Sequence, residues 1–152
     1  MQGCLDLKAK KRETWRVRGY EHYKKIADEV SIPQIRYNVP GRTSVDMLPD
    51  TVKDLSTHPN IIGIKEASGN LERSKEILEK CSDNLSIFTG DDKTSARDIL
   101  MGFKGNISVT ANIVPLQMHN MCRLASEGRE SEAQKINTKI DILHDNLFIE
   151  SN

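Results

Sequence analysis

The apolar positions of this chain gather into four short runs rich in β-branched residues, at Gln34 to Val39, Asn60 to Lys65, Leu85 to Thr89 and Gly105 to Thr110. Segments of helical character separate the runs, and such alternation predicts βαβ units carrying a parallel sheet. Local signals bound the helices. Pro49 opens one over Asp50 to Ser56, Ser68 or Asn70 can cap one that runs to Glu79 or Lys80, and Asp91-Asp92 can cap Lys93 to Met101, which Gly102 ends. After Thr110 the pattern stays helical over Pro115 to Ser126 and Ser131 to about Leu147, with Glu127-Gly128-Arg129 between them. That predicts a helical hairpin. A further helix, roughly Tyr20 to Val30, precedes the first strand run.

The amino-terminal stretch breaks this order. In Met1 to Val17 the basic residues Lys8, Lys10, Lys11, Arg12 and Arg16 outnumber Asp6 and Glu13, and neither strand nor helix periodicity persists. The expected organisation is a basic, poorly ordered extension over residues 1–18 and one folded unit over 19–152.

Composition narrows the function classes. The 152 residues, 37% of them apolar, suit one ordinary domain. Lys+Arg and Asp+Glu both number 22, so no global field recruits nucleic acid or anionic lipid. The longest apolar run, near Ile61 to Ile64, is far too short to span a bilayer, and no export pattern opens the chain. A cytoplasmic protein with neither nucleic-acid nor membrane partner is expected. Cys4, Cys81 and Cys122 are scattered and odd in number, which predicts free thiols. His22, His58, His119 and His144 lack metal-site spacing and are expected at the surface, so neither metal nor cofactor is expected.

Parallel sheets flanked by helices present functional groups at the carboxyl ends of their strands. Here those ends carry Tyr37 and Asn38, then Lys65 and Glu66, then Gly90 to Asp92, then Thr110 to Asn112. Lys65 draws the chemistry. An ammonium emerging from a buried strand loses hydration, its pKa falls, and a neutral amine that can attack a carbonyl becomes accessible near neutral pH. The same pattern fits a strand-end lysine that snorkels to solvent. For Asp91-Asp92 a helix cap fits better than a metal site, because no other acidic or histidine ligand shares the motif.

The strings Tyr37-Asn38-Val39-Pro40-Gly41-Arg42-Thr43, Ile61-Ile62-Gly63-Ile64-Lys65-Glu66-Ala67, Thr89-Gly90-Asp91-Asp92 and Ile107-Ser108-Val109-Thr110-Ala111-Asn112 together resemble the dihydrodipicolinate synthase family. The resemblance runs from about Gly19 to Asn152. It implies a (β/α)₈ barrel and a pyruvate-dependent, Schiff-base lyase reaction of lysine and diaminopimelate biosynthesis. Lys65 matches the lysine that forms the imine with pyruvate, whose enamine then attacks L-aspartate semialdehyde, and Tyr37 matches the tyrosine that moves protons during both steps. Arg42 matches the arginine that holds the semialdehyde carboxylate, although it could instead be a loop arginine paired with Asp46. Gly90 and Ile107 match positions lining the pyruvate pocket. N-acetylneuraminate lyase is similar in the tyrosine and lysine motifs, but Arg42-Thr43 after the turn favours the synthase.

Against that family pattern the chain supplies about four βα units, the later half of a barrel, and a carboxyl-terminal helical hairpin. The first four strands, with the threonine pair and the second relay tyrosine that the family uses, are expected to be missing. An open half barrel exposes two edges and an apolar face, so association is expected, either a homo-oligomer such as the family's tetramer or a contact that completes the barrel. Reduced or absent condensation is expected of this chain, and a non-catalytic remnant or interaction subunit is the reading from another class.

Overall fold

The computed structural model describes the backbone of residues 2–81 and 83–150 and the side chains of residues 16–81 and 83–150. Strands β1 (Gln34–Asn38), β2 (Ile61–Glu66), β3 (Ser86–Thr89) and β4 (Gly105–Asn106) form one sheet in the order β1-β2-β3-β4. Every neighbouring pair is parallel. Helices α1 (Gln2–Glu29), α2 (Pro40–Thr43), α3 (Pro49–Leu55), α4 (Leu71–Cys81), α5 (Ser95–Met101), α6 (Pro115–Ser126) and α7 (Glu130–Asn146) connect and follow the strands. Parallel strands taken in sequence order, each linked through helix, make a stretch of (β/α) barrel wall.

Besides the short helix α2, which the sequence reading did not predict, α1 and β4 depart from it. Helix α1 begins at Gln2 and takes in the stretch expected to be poorly ordered. Leu, Lys, Arg, Glu and Ala dominate it and are strong helix formers, so helical backbone is favoured there even without an apolar stripe. The side chains of Lys8, Lys10, Lys11, Arg12 and Cys4 lie outside the described residues, as do Met1 and residues 151–152. Strand β4 departs as well, because it stops at Asn106 and the chain enters a 3₁₀ turn over Thr110–Asn112. One more ladder bond, Ile107 N–H to the Thr89 carbonyl at 2.9 Å, extends the pairing before the Asp92 carboxylate captures the amides of Val109 and Thr110.

The pleat divides the sheet into two unlike faces. Asn38, Ile64, Glu66, Ile87 and Thr89 are buried on the helix side, where the apolar ones join Val52, Leu55, Ile77, Ile99 and Leu124 in the main core. Arg36 is also buried there. Its Nη2 donates to the Tyr23 carbonyl at 2.8 Å and its guanidinium sits 4.9 Å from the Tyr23 ring, tying β1 to α1. A smaller cluster of Ala96, Met118, Met121 and Ile140 seats α7 against α5 and α6. On the opposite face Ile35, Tyr37 and Ile107 remain 43–46% exposed. Among the described residues no helix is long and apolar enough to cross a membrane.

Candidate functional site

Strand register puts Tyr37 beside Lys65, Lys65 beside Phe88, and Phe88 beside Gly105. Tyr37 and Lys65 therefore emerge side by side on the open face. They line a cleft of ≈ 580 Å³ at the carboxyl ends of the strands, together with Arg42, Gly90, Asp92 and His144. The Lys65 Nζ lies 4.3 Å from the centroid of the Tyr37 ring, a cation–π contact that holds the amine in the cleft. Partial burial pushes the Lys65 ammonium below the ordinary lysine value, against the opposing pull of the Asp92 carboxylate.

Gly90 explains how the lysine fits. A Cβ built at this glycine would collide with Lys65 Cε and come within 2.8 Å of the Ala67 Cβ and 3.0 Å of Lys65 Cγ. The side-chain stem of Lys65 occupies the space that any other residue at position 90 would need. The strand ends are then locked from behind. Buried Asn38 donates from Nδ2 to Glu66 Oε2 at 2.9 Å and to Asp46 Oδ1 at 3.2 Å, while its Oδ1 accepts from the Met47 amide at 3.0 Å. Glu66 Oε1 accepts from the Ser68 amide at 2.8 Å, and Arg73 clamps Asp46 with both terminal guanidinium nitrogens. This lattice fixes the turns that follow β1 and β2, and so the directions in which Tyr37 and Lys65 leave the sheet.

Asp92 does different work from the helix cap expected of it. Nor does Asp91 cap α5, whose N-cap is Thr94: its Oδ1 accepts from the Thr94 amide at 3.0 Å in the turn before the helix. Asp92 is 3% exposed and accepts from Asn106 Nδ2 at 2.8 Å, the Val109 amide at 3.1 Å and the Thr110 amide at 2.8 Å. Burial pushes its carboxyl up, and donors on Ser108, Thr110 and Asn106 more than offset this, holding it below the ordinary value. His144 also departs from expectation. It is 3% exposed rather than superficial, hydrogen-bonded through Nδ1 to Thr110 Oγ1 at 2.9 Å. Its place in the α7 stripe Ala133, Asn137, Ile140, His144, with steps of three and four, was a readable signal for burial.

Four of the residues singled out from the sequence, Tyr37, Arg42, Lys65 and Gly90, share the cleft. Arg42 stands on α2 at its outer rim and is exposed. Ile107 lies beyond the cleft lining, on the open sheet face one residue past β4.

A sequence model of the Dihydrodipicolinate synthetase family matches residues 15–152. The 4-hydroxy-tetrahydrodipicolinate synthase of Pseudomonas aeruginosa is 53% identical over 133 residues, which are 88% of this chain and 46% of that protein. The Alcanivorax borkumensis synthase is 54% identical over the same length, again 88% of this chain and 45% of its own. Among solved structures, chloride-inhibited dihydrodipicolinate synthase from Acinetobacter baumannii complexed with pyruvate superposes with a TM-score of 0.88 at 45% identity, covering 90% of this chain and 47% of that one. The Aquifex aeolicus enzyme gives 0.85 at 39% identity, covering 89% and 47%. The chain spans about half the length of the curated relatives it matches.

Proposed function

This chain belongs to the dihydrodipicolinate synthetase family, and we propose that it carries the imine-forming part of a 4-hydroxy-tetrahydrodipicolinate synthase site. Neutral Lys65 Nζ attacks the C2 carbonyl of pyruvate, the carbinolamine loses water, and a C3 proton leaves to give the enamine that adds to the aldehyde carbon of L-aspartate semialdehyde. Tyr37 is the proton carrier. A phenol is a poor base alone, so it relays protons through the groups and water it meets in the cleft, where the Lys65 amine lies 4.3 Å from its ring centroid. Arg42 at the rim suits the carboxylate of the incoming aldehyde, because a guanidinium offers a fixed fork of donors. Gly90 clears the space for the lysine stem, and Ile107 adds apolar surface to the open sheet face beside the cleft. The open sheet face is covered by association, either with further copies or with a partner that completes the barrel.

The contact of Lys65 with Tyr37 over Gly90, in a strand-end cleft, carries this reading. Pyruvate as the first substrate is supported by the A. baumannii enzyme, 45% identical and solved with that ligand. The test is reduction of the folded chain with borohydride in the presence of pyruvate, followed by peptide mass spectrometry. A covalent adduct on Lys65, absent in Lys65→Arg, is expected; a folded chain that yields no adduct refutes the proposal.

A further inference from the structure

We propose that Asp92 is a positioning residue for Lys65: its buried carboxylate anchors the loop from Asn106 to Thr110 and supplies the fixed negative charge that acts on the Lys65 amine. The donors that hold it are neutral, the Asn106 side-chain amide, the Val109 and Thr110 backbone amides and the hydroxyls of Ser108 and Thr110, so its charge is stabilised without being cancelled. Because Asp92 is 3% exposed, its charge is screened by water less than that of a surface carboxylate. The other charged or titratable groups lining the cleft have partners or positions of their own. Lys93 is paired with Asp145 of α7 at 2.6 and 2.8 Å, and Asp91 accepts from the Thr94 amide in the turn before α5. Tyr37 meets Lys65 through its ring, Arg42 stands at the exposed rim of α2, and His144 is turned to Thr110. Asp92 is buried in the wall of the cleft that Lys65 enters, and its carboxylate opposes the effect of burial on the Lys65 ammonium.

The consequence is twofold. Before reaction Asp92 favours the ammonium and so lowers the fraction of neutral amine. Once an imine has formed, the same carboxylate stabilises the positive charge that a protonated imine carries on that nitrogen. The inference deepens the imine-forming reading of Lys65, but its test does not require that reading to be right.

Asp92→Asn removes the charge at nearly constant shape. Asn106 Oδ1 is buried without a hydrogen-bond partner, so turning the Asn106 amide gives the substituted side chain an acceptor and the loop keeps its anchor. The pH dependence of Lys65 acylation is measured without pyruvate, by peptide mass spectrometry with Lys139 as internal reference, in the parent chain, Asp92→Asn and Asn106→Ala. The midpoint for Lys65 is expected to move to lower pH in Asp92→Asn and to stay in place in Asn106→Ala, which loosens the loop and keeps the charge. An unmoved or raised midpoint in Asp92→Asn overturns the proposal, as does an equal shift in both variants. If Asp92→Asn does not fold, Asp92→Ser carries the same comparison. Loss of pyruvate trapping with the acylation shift intact would remove the imine-forming reading and leave the link between Asp92 and Lys65 standing.

Discussion

Replacing Gly90 by alanine tests whether the lysine is held where the chemistry needs it. Gly90 has no left-handed backbone angle, so alanine brings no torsional strain there and the effect is steric alone. The added methyl would sit 2.8 Å from the Ala67 Cβ, well inside the separation of about 3.5–4.0 Å at which carbon atoms attract. It would also overlap Lys65 Cε, the far end of a flexible chain, and that end is what yields. Overpacking of this kind costs about 1–3 kcal/mol of stability. Expelling the amine from its place over the Tyr37 ring costs more in rate, since a misplacement of about 1 Å at a reacting group loses on the order of 100-fold. Urea unfolding followed by circular dichroism reads the first effect, and the rate of borohydride trapping with pyruvate reads the second.

Gly63→Ala is the matched control. Its Cβ would meet the Ser86 carbonyl oxygen at 2.6 Å, so it forces β2 and β3 apart without touching the lysine. Both variants lose stability, but only Gly90→Ala loses trapping out of proportion to the folded fraction. Trapping at the parent rate in folded Gly90→Ala would refute the idea that this glycine positions Lys65.

Three further outcomes follow from the same geometry. Asn38→Ala strips a buried amide from Glu66, Asp46 and the Met47 amide, and should lower the free energy of urea unfolding by about 2–4 kcal/mol, because buried polar groups then lose their partners. For Asp46, burial pushes the carboxyl up but Arg73 and Asn38 win and hold it below its ordinary value of 3.8. The unfolded chain therefore binds this proton more readily, so the contribution to stability is full above that value and is lost as the pH falls through the lower folded value; Asp46→Asn should show a shallower acid loss of urea stability. Burial pushes the thiols of Cys81 and Cys122 up to about 11, so iodoacetamide at pH ~8 should label both far more slowly in the native chain than in urea, as resolved by peptide mass spectrometry.

The order of elements was legible because strand and helix periodicities are local properties. The runs opening at Gln34 and Gly105 begin strands at those same residues, and Asn70 accepts from the Arg73 amide at 3.1 Å as a cap should. Lys65 and Tyr37 were legible for a related reason: each lies one residue before the end of its strand, and parallel pairing brings strand ends together. What escaped the sequence were residues whose roles depend on distant partners. Asp92 follows a strand and precedes a helix, so local rules assign it to the cap; its actual donors are contributed by residues 106, 109 and 110. The early end of β4 escaped for the same cause, because that capture takes the Val109 and Thr110 amides out of the ladder. Glu66 looked like one more strand-end carboxylate until the amide of Asn38, 28 positions away, was found bonded to it.

The two faces of the sheet divide the chemistry. On the helix side the lattice of Asn38, Glu66, Asp46 and Arg73 already aims Tyr37 and Lys65, and that aim needs nothing laid over the open face. Dehydration of the amine is different, because Tyr37 is 45% exposed and water reaches the site from that side. An apolar layer over Ile35, Tyr37 and Ile107 would remove water without bringing a counter-charge, and so lower the Lys65 pKa further while Asp92 continues to oppose it. Imine formation requires only an aimed amine that is neutral part of the time. Carbon–carbon bond formation requires the enamine to be shielded from protonation by water. Covering the open face should therefore raise the yield of condensation far more than the yield of trapping, and a covering partner that raised both in the same proportion would argue against this division of labour.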